Sequence, residues 1–256
     1  MSDLEIHLFP CRSDNYGVLL HDGDANLTLA IDTPETEAVR AALGERGWSL
    51  DYILNTHHHF DHVEGNEALK AETGCKIVGP SGEAAKIPGI DILLGDGEVF
   101  EFGGHKINVI STPGHTIAPS SYWIPDNNLL FSGDTLFAMG CGRLFEGTPE
   151  MMWNSLQKIM ALPIETQIYC GHEYTLANGE FALSIEPGNA DLVARVEEVR
   201  EARRMRQPTV PSSLETELET NVFLRADSPE IRERLDMVDA SDGDVFARIR
   251  ELKDQG

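Results

Sequence analysis

The stretch Thr56-His57-His58-His59-Phe60-Asp61-His62 places four histidines and an aspartate within six residues, directly after the apolar run Tyr52 to Leu54. A solvated polar loop gains nothing from such crowding, and its imidazoles repel one another once protonated. Imidazole with carboxylate is the donor set of Zn, Fe or Mn rather than the oxygen-only set of Ca or Mg. Three further fragments share one design, a short apolar run that ends in a small-residue turn bearing one donor. They are Val109-Ile110-Ser111-Thr112-Pro113-Gly114-His115, Leu130-Phe131-Ser132-Gly133-Asp134 and Ile168-Tyr169-Cys170-Gly171-His172. Glycine before His115, Asp134 and His172 lets the backbone turn tightly and approach an ion. A lone histidine after a strand is usually an ordinary hydrogen-bonded residue, but four strand ends that each present His or Asp point to a metal centre.

The elements that must position these donors read as α/β. Strands are predicted at Leu4 to Phe9, Tyr16 to Leu20, Leu27 to Ile31, Tyr52 to Leu54, Lys76 to Val78, Val99 to Phe102, Lys106 to Ile110, Ser121 to Ile124, Leu129 to Phe131 and Gln167 to Tyr169. Thr33 as N-cap, Pro34 and Gly47 bracket one helix, and Thr148 with Pro149 opens another through Leu162. After Gly171 strand signals fade. A long helix from Asn189 to Gln207 carries Leu192, Val196, Val199 and Met205 at helical spacing. Ser212 with Glu215 forms a capping box, and Ser228-Pro229 and Ser241 with Asp244 mark two more helix starts. The remaining histidines, His7, His21 and His105, read as surface or hairpin positions, and Met151, Met152 and Trp153 as helix core.

With 43 acidic against 20 basic side chains the 256 residues carry a formal charge of -23. That disfavours nucleic acid and anionic membrane, which demand a positive field, so neither is expected as a partner. The composition, 41% hydrophobic and 25% charged, is that of a soluble globular protein. The N-terminus MSDLEIHLFP has acids where a secretory signal would have a basic segment, which predicts a cytoplasmic protein, here expected as a monomer. Cys11, Cys75, Cys141 and Cys170 form no CxxC pair and read as free thiols.

In order and spacing, Thr56, His57, His59, Asp61 and His62 resemble the THxHxDH signature of the metallo-β-lactamase-fold hydrolases. The resemblance implies a four-layer αββα sandwich over residues 1–172, followed by a small helical substrate-binding domain over 173–256. It also implies that His57, His59 and His115 hold one divalent ion and Asp61, His62 and His172 a second, with Asp134 bridging both. His58 would point elsewhere. Zn is the first expectation, with Fe or Mn accepted by the same donors. Such a pair about 3.5–4 Å apart brings the pKa of a shared water towards neutrality and polarises a neighbouring carbonyl, so hydrolysis needs no side-chain nucleophile.

The remainder of the chain resembles glyoxalase II, the hydroxyacylglutathione hydrolases, through Ser132 to Phe137, Gly140-Cys141-Gly142-Arg143, Glu146-Gly147-Thr148, Cys170-Gly171-His172-Glu173-Tyr174, Thr209 to Ser212, Asn221 to Arg225 and Ile249 to Asp254. The resemblance implies hydrolysis of S-(2-hydroxyacyl)glutathione, typically S-D-lactoylglutathione, in methylglyoxal detoxification. Arg143, Tyr174, Arg250 and Lys253 would grip glutathione, and Asp61 and Asp134 would hold the catalytic centre. A thiol of pKa about 8.5 leaves without a strong general acid, which suits a thioesterase better than a lactamase. Three departures stand out: Phe145 where a tyrosine is usual, Arg143 where lysine is common, and Ile117-Ala118-Pro119-Ser120 in place of a small-Gly-His-Ile run. The competing readings are a lactonase, a persulfide dioxygenase, or a metal-binding protein without turnover.

Overall fold

The structure is a computed structural model and describes residues 4–255; Met1–Asp3, which carry part of the acidic N-terminal signal, and Gly256 lie outside it. The chain forms two compact units, one made of residues up to Ser111 together with Ile117–Gly133, the other of Thr112–Thr116 and everything from Asp134 onward.

The first unit opens on an antiparallel meander of β1 (Leu4–Cys11), β2 (Asn15–Asp22) and β3 (Leu27–Ile31). Helix α1 (Thr36–Arg46) then crosses to β4 (Tyr52–Leu54), which pairs parallel with β3; α2 (Phe60–Val63) and α3 (Asn66–Thr73) lead to β5 (Lys76–Pro80), and β6 (Ile92–Leu94) completes a six-stranded sheet in the order β1-β2-β3-β4-β5-β6. Strands β7 (Val99–Phe102), β8 (His105–Ser111), β9 (Ser120–Ile124) and β10 (Leu129–Gly133) pair antiparallel in sequence order. The two strand sets meet where Tyr52 packs edge-on to Phe100 at 5.3 Å and Tyr122 donates to the carbonyl of Asn55 at 2.6 Å. On the far face, Val39, Ala42 and Leu43 of α1 and Leu69 of α3 pack with Leu19, Ile53 and Ile77 of the first sheet. These layers leave the C-terminal ends of β3 and β4 side by side, where the histidine-rich loop begins.

The second unit contains the hairpin β11 (Leu136–Phe137) and β12 (Gly140–Cys141), then α4 (Pro149–Met160), β13 (Gln167–Cys170), α5 (Thr175–Ile185), α6 (Ala190–Arg204), β14 (Ser212–Ser213, paired with β13), α7 (Leu214–Thr220), α8 (Pro229–Arg234) and α9 (Asp242–Gln255). Thr148 caps α4 by accepting from the Met151 amide, with Pro149 in the first turn, and Asn189 caps α6 through two amides. Trp153 of α4 lies 5.6 Å from Phe246 of α9, which in turn packs on Phe223.

Several sequence expectations shift. Helix α1 starts at Thr36 because Thr33 is already committed: its amide donates to His62 O at 2.9 Å and its hydroxyl to Asn66 Oδ1 at 2.7 Å. The cap of α7 is Ser213, not Ser212, whose hydroxyl instead binds Glu217. Met151 and Met205 are exposed rather than core, while Met152 and Trp153 are buried as expected. His21 and His105 do lie on hairpin strands but are buried: His21 stacks on Trp48 at 4.6 Å, and His105 sits 3.7 Å from Asp22. All four cysteines are free and buried. Burial pushes the thiols of Cys11 and Cys170 up to about 12 and that of Cys141 to about 11. Among the described residues no helix is long and apolar enough to cross a membrane.

Candidate metal and substrate centre

The first unit gathers His57, His59, Asp61 and His62 at the end of β4. His57 Nε2 lies 3.1 Å from His59 Nδ1, the His57 and His62 rings are 4.1 Å apart, and His62 Nε2 is 3.8 Å from Asp61 Oδ2. His57 and His62 are buried, whereas His59 and Asp61 are half-buried.

Their orientation comes from Asp32, at the end of β3, and from Thr56. Asp32 is buried and left-handed at φ 55; it accepts from the Thr56 amide and hydroxyl, both at 2.7 Å, and from His62 Nδ1 at 2.8 Å. A buried carboxylate is costly without such partners. The same bonds fix tautomers. His62 donates through Nδ1, which leaves the lone pair on Nε2. The single Thr56 proton goes to Asp32, so Thr56 Oγ1 accepts from His57 Nδ1 at 3.0 Å, and His57 too carries its lone pair on Nε2. Gly133 closes this region with φ 52, and a Cβ there would lie 2.6 Å from Thr56 Oγ1, so only glycine fits. His58 turns away: its Nδ1 and its amide both meet Glu83 Oε2, at 2.7 and 2.8 Å.

The second unit gathers His115, Asp134 and His172. One oxygen, Asp134 Oδ2, lies 3.4 Å from His115 Nε2 and 3.3 Å from His172 Nε2. His115 Nδ1 donates to the carbonyl of Arg143 at 2.8 Å, which leaves Nε2 with the lone pair. Gly114 has φ 150, and a Cβ on it would lie 2.7 Å from Met152 Cβ. Gly133 and Gly114 thus make the tight turns that the sequence suggests, whereas Gly171 is not among the glycines with positive φ.

These distances suit a metal. A tetrahedral ion that holds its donors at roughly 2.0–2.2 Å keeps them roughly 3.3–3.6 Å apart, close to the spacings about Asp134 Oδ2. The donors are nitrogen lone pairs and carboxylate oxygens, the set that Zn, Fe or Mn takes.

Also in the second unit, Arg143 Nε donates to Asp254 Oδ1 at 3.2 Å, and Arg250 Nη2 reaches the same oxygen at 2.8 Å. Arg250 is only 5% exposed and also donates to Cys141 O at 3.0 Å, so its charge is buried and partnered. Lys253 donates to Ala177 O at 3.1 Å and lies 5.0 Å from the Phe181 ring. Burial pushes the Lys253 pKa down, Arg250 adds to that, and Glu180 opposes it. Tyr174 is partly exposed and stacks on His172 at 4.7 Å, while Phe145 is exposed, its ring 5.3 Å from that of His115 and steeply inclined to it.

Sequence reasoning missed Asp32 and Asp254. Asp32 was within reach, since it follows the apolar run Leu27 to Ile31 as the other donors follow theirs. Asp254 carried no local signal, because its role depends on Arg143, far away in the chain.

The fold and donor set define a metallo-β-lactamase-type protein. Residues 23–172 match the family model of the metallo-beta-lactamase superfamily, and residues 173–256 that of the hydroxyacylglutathione hydrolase C-terminus. The chain is 56% identical to a hydroxyacylglutathione hydrolase of Brucella anthropi, covering 98% of this chain and 96% of that one, and 55% identical to one of Brucella ovis, covering 98% of both. Among solved structures, ETHE1 from Myxococcus xanthus is similar in fold, with a TM-score of 0.66 at 22% identity over 99% of each chain. The chain therefore belongs to the hydroxyacylglutathione hydrolase family of the metallo-β-lactamase superfamily. Its fold is the mixed α/β one that the sequence implied, followed by a helical C-terminal region.

Proposed function

We propose that this enzyme hydrolyses S-(2-hydroxyacyl)glutathione, typically S-D-lactoylglutathione, to glutathione and a 2-hydroxy acid in methylglyoxal detoxification. The observation that carries the reading is the shared oxygen of Asp134, set between the Nε2 atoms of His115 and His172 at metal-ligand spacing. In the proposed centre, His57, His59 and His115 would hold one divalent ion and Asp61, His62 and His172 the other, and Asp134 would serve both. Zn is the first candidate and Fe or Mn the alternatives. Such a pair, when bound, brings a water towards its anion at neutral pH and polarises a carbonyl.

The chain's own groups do the rest. Asp32, Thr56 and the Arg143 carbonyl hold His62, His57 and His115 in the ligating tautomer. Arg143, Arg250 and Lys253 supply positive charge for the carboxylates of the glutathione portion, and Tyr174 a partly exposed ring and hydroxyl beside His172. The Nε of Arg250 is buried without a hydrogen-bond partner among the described residues, which supports a ligand role for this guanidinium. In the reaction, water adds hydroxide to the acyl carbon, the C–S bond breaks, and the thiolate takes the remaining proton from solvent.

The family models meet at residues 172 and 173, which supports a catalytic domain over 1–172 and a substrate-binding domain over 173–256. The charge of -23 supports a monomer that binds neither nucleic acid nor anionic membrane.

The test is thiol release from S-D-lactoylglutathione by protein loaded with zinc. Turnover that stops on chelation and returns with metal is expected. Two bound ions without thioester turnover would overturn the reading and direct the search to lactones.

A further inference from the structure

We infer that Asn15 is a positioning residue for the metal ligand Asp61, and that the turn between β1 and β2 serves as its rigid mount. The inference rests on the dinuclear centre proposed above. Asn15 begins β2, is buried at 4% exposure, and its side-chain Nδ2 donates to both the backbone carbonyl and the carboxylate Oδ2 of Asp61, each at 3.1 Å. One amide thus holds the main chain and the side chain of the same residue. Asp61 is half-buried in the first turn of the four-residue α2, where the Asp32 and Thr56 contacts serve His62 and His57. Its Oδ2 also faces His62 Nε2 at 3.8 Å, so the oxygen held by Asn15 is the one nearest a second donor of the same ion.

The mount is fixed at several points. Cys11 and Asn15 pair across the turn, and Arg12 adopts a left-handed φ of 48 between them. That conformation is uncommon for a residue with a side chain. It is held by the Arg12 amide on Glu35 Oε2 at 2.7 Å, by Arg12 Nε on Pro34 O at 2.6 Å, and by the guanidinium over the Phe60 ring at 4.9 Å. Phe60 directly precedes Asp61, so Arg12 and Asn15 grip adjacent residues of the metal loop. An amide suits the place better than a carboxylate. It donates to Asp61 and adds no negative charge to a site that must stay attractive to Asp61 in its ionised form.

The experiment is a zinc titration of wild type and Asn15→Ala against a chelator of known affinity, with bound zinc per chain measured by atomic emission and the cobalt(II) spectrum as a second readout. Loss of a partner that orients a metal ligand typically weakens metal affinity about 10- to 100-fold. The affinity for one of the two ions should fall by about that factor while the other is retained, and the KM for thioester should stay near wild type. Unchanged affinity for both ions in Asn15→Ala overturns the inference alone, whereas a wild type that cannot take two ions overturns the proposed centre with it. The melting temperature of the metal-free protein guards against misfolding. If Asn15→Ala does not fold, the isosteric Asn15→Asp must show the same selective loss, and normal binding of both ions by that variant overturns the inference.

Discussion

His57, Asp61 and His62 leave the chain within one short stretch after β4 and are held by side chains: Thr56, Asn15 and Asp32. His115, Asp134 and His172 come from three separate turns, and the contact that orients His115 is a main-chain carbonyl, that of Arg143. The first half of the donor set is therefore open to tuning by substitution, residue by residue. In the second half, a substitution at Arg143 alters what its side chain does and leaves the carbonyl in place. On the proposed reading, one residue serves two functions, holding His115 through its backbone and facing the substrate through its side chain.

The sharpest way to break this contrast is to remove a ligand. Asp134→Ala is expected to abolish turnover and lower bound metal, because one oxygen serves two imidazoles; near-normal turnover with two ions retained would remove Asp134 from the centre. Next in size is Asp32→Asn, which keeps the shape but no longer offers His62 and Thr56 a full set of acceptors. It should lose about 10- to 100-fold in metal affinity, read by competition with a chelator. If it binds metal like wild type, the side-chain support of the first half is dispensable.

Arg143→Ala sharpens the contrast from the other side. With the carbonyl kept, bound metal and kcat should hold while KM rises by about 10-fold, in line with loss of one charge-assisted contact. A drop in metal content would show that the guanidinium, through Asp254, supports the ligand as well. The smallest effect belongs to Lys253. Its lowered pKa means that the ammonium loses its charge at lower pH than an ordinary lysine, so KM should climb on the alkaline side earlier than a normal lysine would dictate. Lys253→Met should flatten that climb. The effect on stability has the opposite sign: the folded chain penalises the charged form at all pH values below the folded pKa. The penalty fades as pH rises through the window between the folded and the ordinary value, so Lys253→Met should melt no lower than wild type at neutral pH.

How much of this was legible in the sequence follows the same division. The first half was plain, because its donors are neighbours in sequence and their crowding has no other purpose. The strands that carry the donors were also clear from their apolar runs, and β3, β4 and β7 match their expected limits residue for residue. The short pieces escaped. Helices α2 and α3 and strands β6, β11, β12 and β14 are too brief or too irregular to leave a periodic signal, and they form because tertiary bonds hold them. Thr33 shows the mechanism in one residue. Its type and position favour a helix cap, but its amide and hydroxyl are more valuable to the loop that bears His62, and the helix starts later. Arg250 shows it again, since no local pattern reveals its pairing with Cys141 and Asp254.

The four buried cysteines take on another meaning in an enzyme that liberates a thiol with every turnover. Exchange with glutathione disulfide requires a protein thiolate that can meet the incoming sulfur in line. Here the three most strongly shifted thiols are held far from ionisation at neutral pH, and all four are shielded from collision. The folded chain should thus pass through an oxidative burst without acquiring a glutathione adduct, and its intact mass after incubation with the disulfide should be unchanged. An enzyme whose product pool swings between thiol and disulfide is, by this sealing, made indifferent to the redox state of what it releases.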